Sequence, residues 1–252
     1  MKAAVCLYGY PRSIEYGHKA LKHFLKGIEH DFFIHAWHDP EKSGESSFIA
    51  THDSIVEMFN PVEFALENQL GFKRTFDFPH DLSCLKPELV RMGIGVSTFL
   101  SALYSIKRVG ELLKRSSNHY DLVVLTRMDI FSQKALKEHQ FTTYDHIYSS
   151  FCSGEIWDLN NDGDAIDLKL IASNRGNMEF LMNVYDFAED YIRLDGIKVC
   201  HHRILAYHLK RLGQRFEMMF PQRANWFLIK NEGFLKGEIQ DSHVTSYMDV
   251  FQ

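Results

Sequence analysis

The sequence predicts an α/β fold: a mixed, mostly parallel sheet flanked by helices. Short apolar runs (AAVCLY, DFFIHAW and DLVVLT) recur along the chain. Continuous apolar runs of that length suit strands buried on both faces. Segments with helical apolar spacing lie between them. No internal repeat, low-complexity tract or linker breaks the alternation. Strand–helix–strand order of this kind implies helices layered on one sheet.

Taken in order, residues 3–8 (AAVCLY) read as a buried strand closed by Gly9-Tyr10-Pro11. Residues from 13 to about 27 have helical spacing, with Ile14, Leu21, Phe24 and Leu25 as core positions. Residues 31–37 (DFFIHAW) form a second strand, stopped by His38-Asp39-Pro40. The polar stretch 41–47 reads as a loop, 54–59 as a short helix and 61–65 as a strand.

Residues 97–114 (STFLSALYSIKRVGELLK) form the best helix, with Phe99, Leu100, Leu103, Ile106, Leu112 and Leu113 as its apolar stripe. Residues 121–126 (DLVVLT) are the clearest central strand and stop at Arg127-Met128-Asp129. Strands are expected at 145–148 and 167–173. Helices are expected at 178–191 and 204–212, the latter stopped by Gly213.

With 252 residues the chain is sized for one large domain, 1–252. Against 28 basic residues stand 33 acidic ones, a net charge of -5, and the Lys and Arg residues are dispersed. No basic field argues for nucleic acid as a partner. Cys6, Cys84, Cys152 and Cys200 are scattered with no CxxC pair. They read as small buried hydrophobes in a reducing compartment, neither disulfide frame nor zinc site. No run approaches the roughly 18 apolar residues of a membrane helix. The opening MKAAVCLYGYPRS is too brief an apolar run for a signal segment. The expectation is a cytoplasmic protein with no transmembrane segment.

In open α/β sheets ligands sit beyond the carboxyl ends of the strands. Three polar clusters fall there: 9–12, 35–39 and 127–129. Gly9-Tyr10-Pro11-Arg12 is neither a GxGxxG nor a Walker-type loop. Its glycine lets a ligand approach backbone, its tyrosine can stack on a base and its arginine can fork onto phosphate. The plain alternative is a turn with a surface arginine. In Arg127-Met128-Asp129 the carboxylate suits a divalent cation and the guanidinium suits phosphate. The plain alternative there is a structural ion pair at a turn.

His35 and His38 lie three apart on a strand, on opposite faces, and make a poor chelate. Cys200-His201-His202 diverges in the same way. Asn160-Asn161-Asp162-Gly163-Asp164, followed by Asp167, lacks the glutamate that a calcium loop needs at its twelfth position. One of these acids can act as a general base; the alternative is a solvated acidic turn. His243 is either a late metal ligand or a surface residue. No GxSxG or HExxH motif supports hydrolase chemistry.

Four segments in order carry a resemblance. They are AVCLYGYPRS, DFFIHAW, SALYSIKRVGELL followed by YDLVVLTRMDI, and DLKLIAS. Together they resemble the GT-A-fold glycosyltransferase-like proteins of bacterial and viral polysaccharide or glycan synthesis, over roughly residues 3 to 175. The resemblance implies a nucleoside diphosphate sugar as donor and a glycan or oligosaccharide hydroxyl as acceptor. It divides the domain into a nucleotide-sugar half, 1–130, and an acceptor half, 131–252.

The resemblance places the base and ribose near Gly9, Tyr10, Arg12, His35 and Trp37. Tyr104 and Lys107 would face the ribose or diphosphate. Asp129 would hold Mn²⁺ or Mg²⁺, with His243 completing the metal site, and the metal would stabilise the leaving group. Asp167 would deprotonate the acceptor hydroxyl if the sugar is transferred with inversion at the anomeric carbon, with Asp164 or Asp162 as substitutes. Trp157 and Trp226 would stack on sugar faces or pack in the core. Arg127 stands where the first carboxylate of Asp-x-Asp is expected, so one metal ligand is missing. A metal-independent site, with Arg127 or Lys107 neutralising the diphosphate, stays open. So do a degenerate nucleotide-sugar-binding protein and a sugar nucleotidyltransferase.

Overall fold

The computed structural model describes residues 1–11, 14–38, 51–69, 96–132, 135–138, 141–149, 168–197, 201–211, 213, 216–218 and 226–228. Strand β1 (Lys2–Gly9) leads into helix α1 (Ile14–Phe24), then β2 (Glu29–His38), α2 (His52–Phe59) and β3 (Glu63–Asn68). Helix α3 (Val96–Arg115) precedes β4 (Leu122–Arg127), β5 (Ile130–Ser132), β6 (Ile147–Ser149) and β7 (Leu170–Ser173). Helix α4 (Arg175–Met182), a 3-10 turn (Asn183–Phe187), α5 (Ala188–Arg193) and α6 (His201–Lys210) follow. Strands β8 (Phe216–Met218) and β9 (Trp226–Leu228) complete the described elements.

Seven strands form one sheet in the order β3-β2-β1-β4-β7-β6-β8, and β5 pairs with β9 apart from it. The pairs β1–β2, β1–β4, β2–β3 and β6–β8 are parallel, while β7 is antiparallel to both β4 and β6. The fold is therefore α/β with a mixed sheet flanked by helices.

Alternation along β1 divides the core into two layers. Ala4, Cys6 and Tyr8 join the layer under α3, α4 and α6. Ala3, Val5 and Leu7 join the layer under α1 and α2. All six are buried, as strands covered on both faces require. Cys6 is a free, buried thiol, as expected; Cys84, Cys152 and Cys200 lie outside the described residues. Among the described residues no helix is long and apolar enough to cross a membrane.

Several elements depart from the expected boundaries, and three of the departures have a visible cause. The strand expected at 61–65 runs over Glu63–Asn68. Helix α2 ends at Asn60 in a left-handed cap (φ 44°), and the chain straightens only after Pro61. The helix expected over 178–191 is three pieces, broken by the 3-10 turn. Val184 of that turn is buried under α3, and a continuous apolar spacing conceals such a break. The strand expected at 167–173 starts only at Leu170. The preceding carbonyls serve side chains instead of a ladder: Tyr8 Oη donates to Leu168 O at 2.7 Å and Thr126 Oγ1 to Lys169 O at 2.6 Å.

Candidate functional site

The parallel strands bring their carboxyl ends to one edge. Tyr8 pairs in register with His35 on one side and Arg127 on the other, and Trp37 pairs with Glu67. His35 and Arg127 thus stand two strands apart, about 10 Å between backbones. Gly9 ends β1 with φ +101°, and a Cβ built there would meet nothing within 4 Å. Backbone at this position is open to close approach. Tyr10 follows it, half-buried.

A polar network lies on the α3 side of this edge. Ser105 Oγ accepts the Gly9 N–H at 2.8 Å and lies 2.7 Å from His35 Nδ1. The same hydroxyl reaches the His35 carbonyl oxygen at 3.5 Å, and the other ring nitrogen of His35 is Nε2. That nitrogen stands 3.5 Å from Glu67 Oε1 without a well-directed hydrogen bond. Glu67 also accepts Arg108 Nε at 2.7 Å and Tyr104 Oη at 3.1 Å, and Arg108 pairs with Glu111.

Burial pushes the His35 pKa below its ordinary value, so the ring is neutral at pH 7. The adjoining His35 ring and then Arg108 hold Glu67 down to about 2, against its partial burial. With His35 neutral, the formal charge that Glu67 answers is that of Arg108. Burial and then Glu67 raise the Tyr104 hydroxyl. The Ser105–His35–Glu67 sequence looks like a nucleophile triad, but Ser105 is fully buried and already accepts a backbone N–H. It is a latch between helix and strands.

Aromatic rings line the network. Trp37 is 2% exposed, stacks on Tyr104 at 5.5 Å and donates Nε1–H to Ser101 O. Its ring belongs to the core, so the expected direct contact with a base is corrected to support of Tyr104. Tyr104 meets the Tyr185 edge at 5.4 Å. Lys107, expected to face the ribose or diphosphate, pairs with Asp186 at 2.5 Å and sits over the Tyr185 ring. Gln69 Oε1 is a second buried polar atom without a hydrogen bond in this neighbourhood; its Nε2 reaches Ser101 Oγ at 3.4 Å.

On the β4 side, Arg127 Nε and Nη2 donate to the two oxygens of Asp129 at 2.7 and 2.6 Å. Asp129 is 2% exposed. The turn between them is braced by α1: a Cβ at Gly17 would lie 1.8 Å from the Met128 carbonyl oxygen.

This geometry does not fit the divalent cation implied at Asp129, because both carboxylate oxygens already serve a guanidinium. Among the described residues no group of three or more His, Cys, Asp or Glu is placed to hold a metal. Arg12, Asp162, Asp164, Asp167, His243 and Trp157 lie outside the described residues.

The edge therefore brings Gly9, Tyr10, Tyr104 and Arg127 to neighbouring positions, with His35, like Trp37, buried beneath them. Ser105, Glu67 and Arg108 were missed. The signal for Ser105 and Arg108 was a polar stripe at 101, 104–105 and 108 along an apolar helix. Glu67 was hidden by ending its strand at residue 65. Comparison of the sequence with protein-family models finds no match, and comparison with curated proteins finds none either.

Proposed function

We propose that the chain is a glycosyltransferase of GT-A type that moves a sugar from a nucleoside diphosphate sugar to a glycan hydroxyl. The observation that carries this reading is the pairing of open backbone at Gly9 with the held guanidinium of Arg127 on adjacent parallel strand ends. A diphosphate needs close backbone approach and a cation, and strand carboxyl ends are where α/β sheets take such ligands. The four resembling segments point to the same donor class.

In this reading Gly9 and Tyr10 meet the nucleotide, Tyr104 supplies a ring face braced by Trp37, and Arg127 answers the phosphates. The acceptor oxygen attacks the anomeric carbon as the bond to the diphosphate oxygen breaks. Its proton passes to a carboxylate, for which Asp167 is proposed, with Asp164 as substitute. Leu168, the next residue after Asp167 in the chain, is tied by its carbonyl to Tyr8 on β1. The engagement of Asp129 by Arg127 also favours a second reading, a nucleotide-sugar-binding protein without turnover.

A thermal-shift panel of UDP-, GDP-, CMP- and dTDP-sugars tests the donor class. A ligand that binds only the folded state raises the midpoint by mass action. The reading expects a shift for one of the three diphosphate classes, and a shift with CMP-sugars alone contradicts it. No shift with any of them contradicts it.

A further inference from the structure

We propose that Arg127, positioned by Asp129, is the resident cation of this site, so that a diphosphate binds here without a divalent metal. The inference rests on the proposed donor class and assigns Asp129 a different task from the one the resemblance implies.

The pair is asymmetric. The Asp129 side chain is 3% exposed and the Arg127 side chain 35%. The carboxylate is inside and the guanidinium is at the surface, so Asp129 orients and Arg127 is the partner that a ligand meets. The fork uses one N–H on Nε and one on Nη2. It fixes the guanidinium plane, and a planar fork suits phosphate oxygens better than a point charge does.

The turn that carries the pair is immobilised from below. Met128 is fully buried, Ile130 is 2% exposed, and Gly17 of α1 lies against the Met128 carbonyl with no room for a side chain. Register puts Arg127 beside Tyr8, the residue before the open Gly9 backbone. A divalent ion at Asp129 would have to reach a carboxylate whose side chain is 3% exposed and share the turn with the guanidinium, cation against cation. Asp129 is a positioning residue for Arg127, as a carboxylate behind a functional group often is.

Calorimetric titration of the full chain with UDP, GDP, dTDP and pyrophosphate, each in EDTA and in Mn²⁺, tests this. The expected result is binding of at least one diphosphate with the same affinity in both buffers. Arg127→Lys should weaken it on the order of tenfold, because the fork is lost while the charge stays. Asp129→Asn should weaken the EDTA-insensitive binding while the circular dichroism spectrum is kept, which a purely structural role would not produce. Manganese spectroscopy should show no Mn²⁺ held by protein with diphosphate beyond that held by diphosphate alone. Binding that requires Mn²⁺, or affinity unmoved in Arg127→Lys, overturns the inference and leaves the donor class standing. No binding of any diphosphate in either buffer overturns both.

Discussion

Ser105 Oγ lies 2.7 Å from His35 Nδ1 and accepts the Gly9 N–H at 2.8 Å, so one hydroxyl on α3 fastens the carboxyl ends of β1 and β2 together. The edge that faces ligand is thereby set by a side chain buried beneath it.

Ser105→Ala should leave the Gly9 N–H and His35 Nδ1 without that partner in the interior. A stability loss of about 1–3 kcal/mol is expected, read as a lower urea midpoint at unchanged slope. A variant as stable as the parent would mean that neither group depends on the hydroxyl.

Gly17→Ala adds a methyl where the Met128 carbonyl oxygen stands 1.8 Å from the Cβ position. Helix propensity alone favours alanine by about 1 kcal/mol. The overlap is with backbone and cannot be relieved by turning a side chain. A net loss of about 1–3 kcal/mol is expected, with Arg127 displaced. A raised thermal midpoint would show that α1 does not pack this closely.

Stability should fall as the medium is acidified, in two windows. His18, His35 and His208 all have pKa values lowered by burial, His18 to about 4. Below the ordinary value of 6.5 the unfolded chain takes up protons that these rings resist, so stability drops as pH falls from there. Glu67, held at about 2, contributes stability above its ordinary 4.5 that is lost as pH falls from 4.5 toward 2. Urea unfolding across pH should show both windows; Glu67→Gln should flatten the lower one and, by removing the carboxylate that opposes the burial shift of His35, deepen the upper one. A stability constant from pH 8 to 5 would contradict the burial of the three rings.

Lys107→Ala breaks an ion pair with Asp186 in which the side chains are 26% and 45% exposed. Exposed pairs contribute little, and a change under about 1 kcal/mol is expected. Diphosphate affinity should fall less than in Arg127→Lys. An equal or larger fall would make Lys107 the principal phosphate contact.

The central strands were legible because AAVCLY, DFFIHAW and DLVVLT are apolar enough to be buried on both faces. Helix α3 was legible from its stripe. Strands β8 and β9 were not, since three residues carry no periodicity. The antiparallel placement of β7 between β4 and β6 is a tertiary pairing with no local signature. At the site, residue type at a strand end pointed to Gly9, Tyr10, His35 and Arg127. Sequence could not show that Trp37 turns into the core or that Asp129 spends both oxygens on Arg127, because both depend on side-chain direction.

The measurement that bears most directly on sugar transfer is the product of the reaction. The full chain would be incubated in EDTA with the nucleoside diphosphate sugar that shifts its melting, together with a panel of oligosaccharide acceptors. Nucleotide and glycan would then be read by mass spectrometry. The account predicts free nucleoside diphosphate and an acceptor heavier by one sugar. It also predicts that Asp167→Asn keeps donor binding but loses about 10²- to 10⁴-fold in turnover. Pyrophosphate in place of nucleoside diphosphate, or a bound donor recovered intact with every acceptor, would contradict it.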